Sequence, residues 1–566
     1  MIKMKKLICL ILASLMLLTV LAACGDKEED NPVGPGGEDG VVDGNTPGGV
    51  ETDPDWGETE YDDYIPPPTD ITADLTIMMW SGDNSYMTDI GNKNYAPEDI
   101  GGQNQAAAYA VAKEFNKIYP NVKINIFAKS GDPNSDGIMW AQHIENFRAE
   151  HGKYPDFYAA TDIPGDIMKG MCADLSIFEN DPVYRSFNKG ILMLANYEGK
   201  QFALPQYLLP WGVFVNRSLA NANNIDVPDP DWTIAEYTAF VTHSDPDNGW
   251  FGAMDAPLDF LRTGSKDFAY NLTNRTGGSF VNLASDNFFR LLEYIPRWSN
   301  HAAYPQNDLG NAPEGFMDEH WWWPYRFFQM GRLLTLDGDP WMMGDLAHPD
   351  PGHWGAGVMS DWDIYPRPAT SELGNTVGVV FDPFAIHNYF ADPNLSDEEA
   401  YEKLQIAYEF AKFWCADTRA WKARAEQMFL DGDNLKTCLN DSLPMVTGAA
   451  FDEQMAIWYT TETHARFADK SKMPGWHLIL DLWQAGEIWD VSDKAYPWRF
   501  ERDGSVTDIL FEFYNSWNPD ISGARRTDAN WLDQMKSLLP DWNAQFNARW
   551  EGAFNDLSAA INRYYS

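Results

Sequence analysis

Between Asp74 and Ala160 the hydrophobic pattern switches repeatedly between two periods, and this alternation constrains the fold more than any other feature. Asp74 to Trp80 reads Asp-Leu-Thr-Ile-Met-Met-Trp, a short apolar strand that stops at the turn cluster Ser81-Gly82-Asp83-Asn84. Ala108, Val111, Ala112, Phe115 and Tyr119 then recur at helical spacing until Pro120-Asn121 ends the run. Val122 to Phe127 alternates as a second strand, Trp140 to Glu150 is an amphipathic helix, and Pro155 to Ala160 is a third strand ending at Thr161-Asp162. Strand, helix, strand, helix, strand predicts an α/β layer with a parallel sheet and right-handed crossovers. Ligands of such sheets sit outside the carboxyl ends of the strands, which directs attention to Trp80–Asn84 and Thr161–Ile163.

The chain is long enough, at 566 residues, for several domains. Its 84 Asp and Glu outnumber 41 Lys and Arg, for a formal charge of −43. A phosphate backbone or an anionic bilayer needs a basic surface, so nucleic acid and electrostatic lipid docking are excluded as partners. Part of the acidity lies in residues 25–70, which hold 15 acids, one Lys, nine Gly and seven Pro. So few apolar groups cannot offset the entropy of ordering, and this stretch is expected to be a disordered, self-repelling tether. The body beyond it remains strongly acidic, which favours solubility and disfavours an anionic ligand.

Ahead of the tether, three lysines in Met1–Lys6 precede an apolar run from Leu7 to Ala23, the pattern of an export signal and not of a membrane span. Its end, Leu21-Ala22-Ala23-Cys24-Gly25, resembles the lipobox of bacterial lipoproteins, which implies cleavage before Cys24 and its acylation, with palmitate among the chains. Signal peptide is thus expected at 1–23 and the lipidated linker at 24–70. Of the five cysteines, Cys9 would leave with the signal and Cys24 would be acylated; the remaining Cys172, Cys415 and Cys438 are too few and too odd in number for a disulfide framework, although one pair such as Cys415–Cys438 is open. No metal-ligand spacing and no cofactor motif is present.

Further along, Tyr197-Glu198-Gly199-Lys200-Gln201-Phe202-Ala203-Leu204-Pro205 and Val213-Phe214-Val215-Asn216-Arg217-Ser218-Leu219 resemble a passage of family 1 extracellular solute-binding proteins, the carbohydrate receptors of ABC importers. Asp231-Trp232-Thr233-Ile234-Ala235-Glu236-Tyr237 resembles that family's helix start, and Thr233 with Glu236 forms a capping box. Gly331–Trp341, Gly378–Ile386 and Ala400–Thr418 extend the resemblance over about 74 to 460. It implies a two-lobe periplasmic-binding-protein-like (type II) fold with hinge-crossing segments near Leu204–Val213 and Val379–Pro383. Lobe 1 is then expected from 71–208 and 380–445, lobe 2 from 209–379 and 446–566. The stretch 250–330, with Trp321-Trp322-Trp323, and the Trp-rich tail 471–550 exceed the family's usual length.

A pyranose offers apolar faces and a ring of hydroxyls, so its site needs flat aromatics beside side chains able to form paired hydrogen bonds. Candidates at strand ends are Trp80, Asp83, Asn84 and Asp162; in the first crossing, Tyr207 and Trp211; and in the Gly-Asp-Pro-Trp segment, Asp339 and Trp341. Two readings stay open for several of them: Trp80 also suits a core cap, and Asp83 and Asp339 suit turns in which Asp bonds its own backbone. Asp245-Pro-Asp247-Asn248-Gly249 lacks the later Glu of a calcium loop and reads as a solvated turn. The expectation is a monomeric, lipid-anchored receptor on the outer face of the cell membrane. It would perform no catalysis, capture a carbohydrate, foremost an oligosaccharide, and hand it to ABC permease subunits. The alternative is a secreted glycoside hydrolase, which needs two suitably spaced carboxylates that an acid-rich chain always offers. A peptide or polyol receptor of the same fold is the third reading.

Overall fold

The computed structural model describes residues 64–80, 85–130, 137–138, 140–269, 279–304, 326–337, 346, 360–431, 434–461, 464–490, 499–502, 505–508 and 526–565. The export signal, Cys24, the tether up to residue 63, and the Trp321–Trp323 run lie outside these residues. The chain becomes describable at Tyr64, whose hydroxyl donates to Glu409 at 2.6 Å, while the Gln405 amide donates to the Ile65 carbonyl at 2.7 Å. Lys412 sits between Asp181 and Glu409, 2.6 Å from each, so one ammonium bridges the two buried carboxylates and offsets part of their charge.

The predicted alternation is present. Strand β1 (Ala73–Trp80) is followed by the short β2 (Ser85–Met87), helix α1 (Gln103–Phe115), β3 (Val122–Lys129), α2 (Trp140–His151), β4 (Phe157–Ala159) and α3 (Ile163–Met168). β1 pairs in parallel with β3, from Ala73↔Val122 to Trp80↔Lys129, and with β4 at Ile77↔Phe157. Asp156 pins this layer from below: it is buried, and accepts from the Thr76 amide at 2.8 Å and the Tyr389 hydroxyl at 2.7 Å.

Next come β5 (Leu204–Trp211) and β6 (Val213–Val215), α4 (Ile234–Val241), β7 (Thr335–Asp337), β8 (Asp363–Tyr365) and the long β9 (Val377–Ile386). Both predicted crossing segments are strands, and they pair antiparallel from Gly378↔Trp211 to Phe384↔Leu204. Prolines thin this ladder, since Pro383 faces Pro205 and Pro210 faces Val379, and a register shift follows at Asp382/Pro383. A neighbouring loop makes up lost bonds: Ser442 Oγ accepts from the Leu208 amide at 3.0 Å. At its far end β9 turns onto β4, again antiparallel, at Phe384↔Ala159. The expected parallel sheet is therefore mixed. β9 enters from the second lobe in the opposite sense, and β2 folds back antiparallel on β3. The seven strands of this sheet among the described residues run β12 (Ile488–Asp490), β9, β4, β1, β3, β2, with β5 on the other edge of β9.

Two hydrophobic cores result. One surrounds the large sheet and extends to one face of the three-stranded sheet β8–β6–β7 through Phe214, Leu336 and Ile364; the other gathers Val213, Val215, Trp232, Tyr237, Phe260 and Trp298 on that sheet's opposite face. Thr233 and Glu236 form the capping box read in the sequence, with Thr233 N donating to Glu236 at 2.7 Å. α5 (Asp397–Ala416) buries Ala407, Phe410, Ala411 and Trp414, and α6 (Thr418–Glu426) leads to the hairpin β10 (Met428–Asp431) and β11 (Asn434–Thr437). Cys172, Cys415 and Cys438 are separate buried thiols, so the open Cys415–Cys438 pairing is not formed. α7 (Ala449–Trp458) and α8 (Pro474–Ala485) follow, and Trp476 and Trp483 both face inward from α8, as their spacing predicts. Asp363 caps α8 from β8, accepting from Gly475 N at 2.8 Å, with Arg217 3.2 Å away; burial nonetheless pushes its carboxyl up to about 6. The chain ends with hairpin β13 (Arg499–Arg502) and β14 (Ser505–Asp508) and the long α9 (Trp531–Tyr564), which continues through Pro540. Among the described residues no helix is long and apolar enough to cross a membrane.

Two stability predictions follow from this packing. Phe384, fully buried and 3.9 Å centroid to centroid from Phe157, should cost about 3–5 kcal/mol when replaced by Ala, against about 1 kcal/mol for Thr233→Ala, in urea unfolding. His464 lies flat on Trp458, rings 3.8 Å apart, and burial depresses its pKa to about 3. Below pH ~6.5 the unfolded chain takes a proton that the folded chain refuses, so this group removes up to about 1.4 kcal/mol of stability per pH unit as pH falls. His464→Phe should flatten that acid slope in unfolding curves measured from pH 7 to pH 4.

Candidate functional site

β1, β4, the ribbon β5–β9 and the second sheet are linked by successive pairings. β4 ends at Ala159, opposite Phe384, where the ribbon leaves the first lobe. β5 delivers the chain to Val213, which pairs with both Asp337 and Tyr365. Strand ends of both lobes thus face the same hinge.

On the first lobe, Trp80 closes β1 and is half-buried, its ring packed edge-on to Trp140 at 5.4 Å. The Trp140 indole in turn donates to the Ala159 carbonyl at 2.8 Å, which ties the ends of β1 and β4 together. Asp162, 4% exposed, is the N-cap of α3 and accepts from Gly165 N at 3.1 Å. Its oxygens therefore hold local backbone, as Asp does in turns. On the ribbon, the Tyr207 hydroxyl donates to Asp441 at 2.7 Å. Trp211 ends β5 half-buried, and its indole N–H has no hydrogen-bond partner among the described residues. Asp83, Asn84, Asp339 and Trp341 lie outside the described residues. The structure thus brings Trp80, Asp162, Tyr207 and Trp211 to the strand ends and the ribbon between them.

Sequence reasoning missed the groups that line the second lobe here. A hollow of about 370 Å³ opens at the end of β7, bordered by Tyr237, Met254, Asp255, Asp259, Leu336 and Asp337. Arg367, fully buried, lies 3.5 Å from Asp337 and 3.6 Å from Asp259, with Phe260 beneath its guanidinium; Arg526 lies 3.2 Å from Asp255. Burial and the Asp337 charge keep the Tyr237 phenol neutral. Asp255 and Asp259 sit four apart in an Asp-Ala-Pro-Leu-Asp stretch, and Asp337 two before Asp339. Those short spacings were the available signal. Carboxylates and guanidiniums beside aromatic rings can form paired hydrogen bonds and stack on an apolar face. A second hollow, about 330 Å³, opens beside Asp74, Asp156, His387 and Tyr389 at the amino end of β1, opposite to where an open α/β sheet receives ligands. The Asp245–Gly249 segment is the turn expected, with Asp245 accepting from Asn248 N at 3.2 Å.

In urea unfolding, Arg367→Met should cost about 2 kcal/mol by stranding Asp259 and Asp337, and Tyr207→Phe about 1 kcal/mol.

No family model and no curated protein matches the chain. Solved structures do. The chain is similar to the cyclic α-maltosyl-1,6-maltose binding protein of Arthrobacter globiformis, at 15% identity over 87% of this chain and 100% of that one, with a TM-score of 0.50. It is also similar to a sugar transporter protein of Rhizobium etli in an open conformation, at 14% identity over 86% of this chain and 99% of that one, with a TM-score of 0.51. At such identities the likeness speaks for the fold. The chain has the two-lobe, periplasmic-binding-type α/β fold of these solute-binding proteins.

Proposed function

We propose that the protein is a lipid-anchored substrate-binding protein that captures a carbohydrate, an oligosaccharide, between its lobes and delivers it unaltered to an ABC permease. One observation supports this reading: the paired ribbon that carries Tyr207 and Trp211 leads through Val213 to Asp337, which borders the Asp-lined hollow. The fold neighbours, a cyclic α-maltosyl-1,6-maltose binding protein and a sugar transporter protein, support it. A sugar at this place would lie its apolar face on Trp211 or Trp80. It would offer its hydroxyls to Asp337 and the acids beside it in the hollow, while Asp162 shapes the opposite wall. Because its contacts are shared between lobes, it shifts the population towards a closed form, which the permease would recognise. The anchor rests on Cys24 and the export signal before it, and the acidic tether lets the body stand off the bilayer.

Calorimetric titration against neutral oligosaccharides, maltotetraose first, should give a Kd of about 1 μM, near −8 kcal/mol, without release of new reducing ends. Trp211→Ala should weaken binding at least about tenfold, roughly 1.4 kcal/mol. Reducing-end release would establish a hydrolase instead, and binding confined to peptides or polyols would keep the fold but overturn the substrate. Incorporation of labelled palmitate that disappears in Cys24→Ser tests the anchor.

A further inference from the structure

Helix α9 runs without interruption from Trp531 to Tyr564, and at 1.5 Å per residue it spans roughly 50 Å. Its two ends are buried in different cores. Trp531, Met535, Leu539, Phe546 and Trp550 belong to the second core, and Asn543 and Asn547 accept from the amides of Leu283 at 2.8 Å and Phe280 at 2.7 Å. Leu557 and Ile561 belong to the core of the large sheet. Just beyond them the Tyr565 hydroxyl donates to the Cys172 carbonyl at 2.8 Å, and its ring meets Phe202 at 4.9 Å. Tyr564 covers Gly170, which has φ 65°; a Cβ there would come within 2.9 Å of the ring. This landing ground directly follows α3, the helix that Asp162 caps, and α9 packs on α3 as well.

We infer that α9 is a strut between the lobes: it sets their resting angle, and its Leu557–Tyr565 end separates from Gly170–Cys172 when that angle changes. A helix cannot lengthen without breaking its hydrogen bonds, so rotation about the β5–β9 ribbon obliges one end to let go. The ends are unequal. Five large side chains and two backbone-binding asparagines hold the second-lobe end, against two aliphatic side chains, the rings of Tyr564 and Tyr565 and the Ser558 hydroxyl on Glu198 at the other. The weaker dock is the one beside α3, so the strut also positions the helix that closes the first-lobe side of the candidate site. The inference stands on the fold and the packing, and holds whatever the ligand is.

The test uses the full chain. Glu150 on α2 and Asn221 in the helix Arg217–Ala222, both exposed, are replaced by p-acetylphenylalanine and spin-labelled at the ketone, which leaves the thiols untouched. Pulsed electron spin resonance should give one narrow distance peak for this chain and a broad one after Leu557→Asp with Ile561→Asp. An unchanged narrow peak in a variant of native circular dichroism overturns the strut. Hydrogen exchange of the unsubstituted chain tests the unequal docks without any variant. Amides 556–560 and 535–539 lie equally far from the two ends of α9, and the former should exchange at least about tenfold faster. Equal protection of the two sets, or the reverse order, overturns the claim that the first-lobe end is the one released.

Discussion

The ribbon formed by Leu204–Trp211 and Val377–Ile386 is the constraint on which the rest depends. One strand carries the chain out of the first lobe, the other brings it back, and their pairing keeps the two passages side by side. Phe384 fixes the root of the ribbon, because it pairs with Leu204 on one edge and Ala159 on the other while its ring packs against Phe157 and Trp414. Beside that root the ladder loosens at Pro205 and Pro383, and near its other end at Pro210, because proline has no N–H to give. A ribbon held at Phe384 and thinned by prolines is suited to bending, and Tyr207 and Trp211 are part of it.

Most of this frame was legible because it is written in local periodicity. Leu75–Met79, Val122–Ile126 and the Ala407–Trp414 stripe each announce the face they bury, and Thr233 with Glu236 announces a helix start. The parallel pairing of β1, β3 and β4 was legible, but that of β9 was not, since it depends on where β9 comes from and not on its own residues; hence a mixed sheet around a parallel centre. β2 spans three residues and is ordered by β3 alone. α9 escaped because Pro540 argues for a break, and only the burial of Trp531, Leu539, Phe546 and Trp550 on one face overrides it.

The site was half legible for a related reason. Strand ends and crossing segments are fixed by topology, so Trp80, Asp162, Tyr207 and Trp211 could be named in advance. Asp255 sits on a loop, Asp259 opens the short helix Asp259–Gly264, and Asp337 ends a strand of three residues. Their meeting in one hollow with Arg367 is long-range packing that no short motif records. The structure also narrows the role of Asp162, whose carboxylate holds the first turn of α3 and so acts by shaping the wall.

A co-crystal structure with maltotetraose tests the central claim most directly. The account predicts the saccharide between the carboxyl ends of β1 and β4 and the Asp337 hollow, in contact with Tyr207 or Trp211. Saccharide seated instead in the hollow beside Asp156 and His387, with the two cores unmoved, would contradict it.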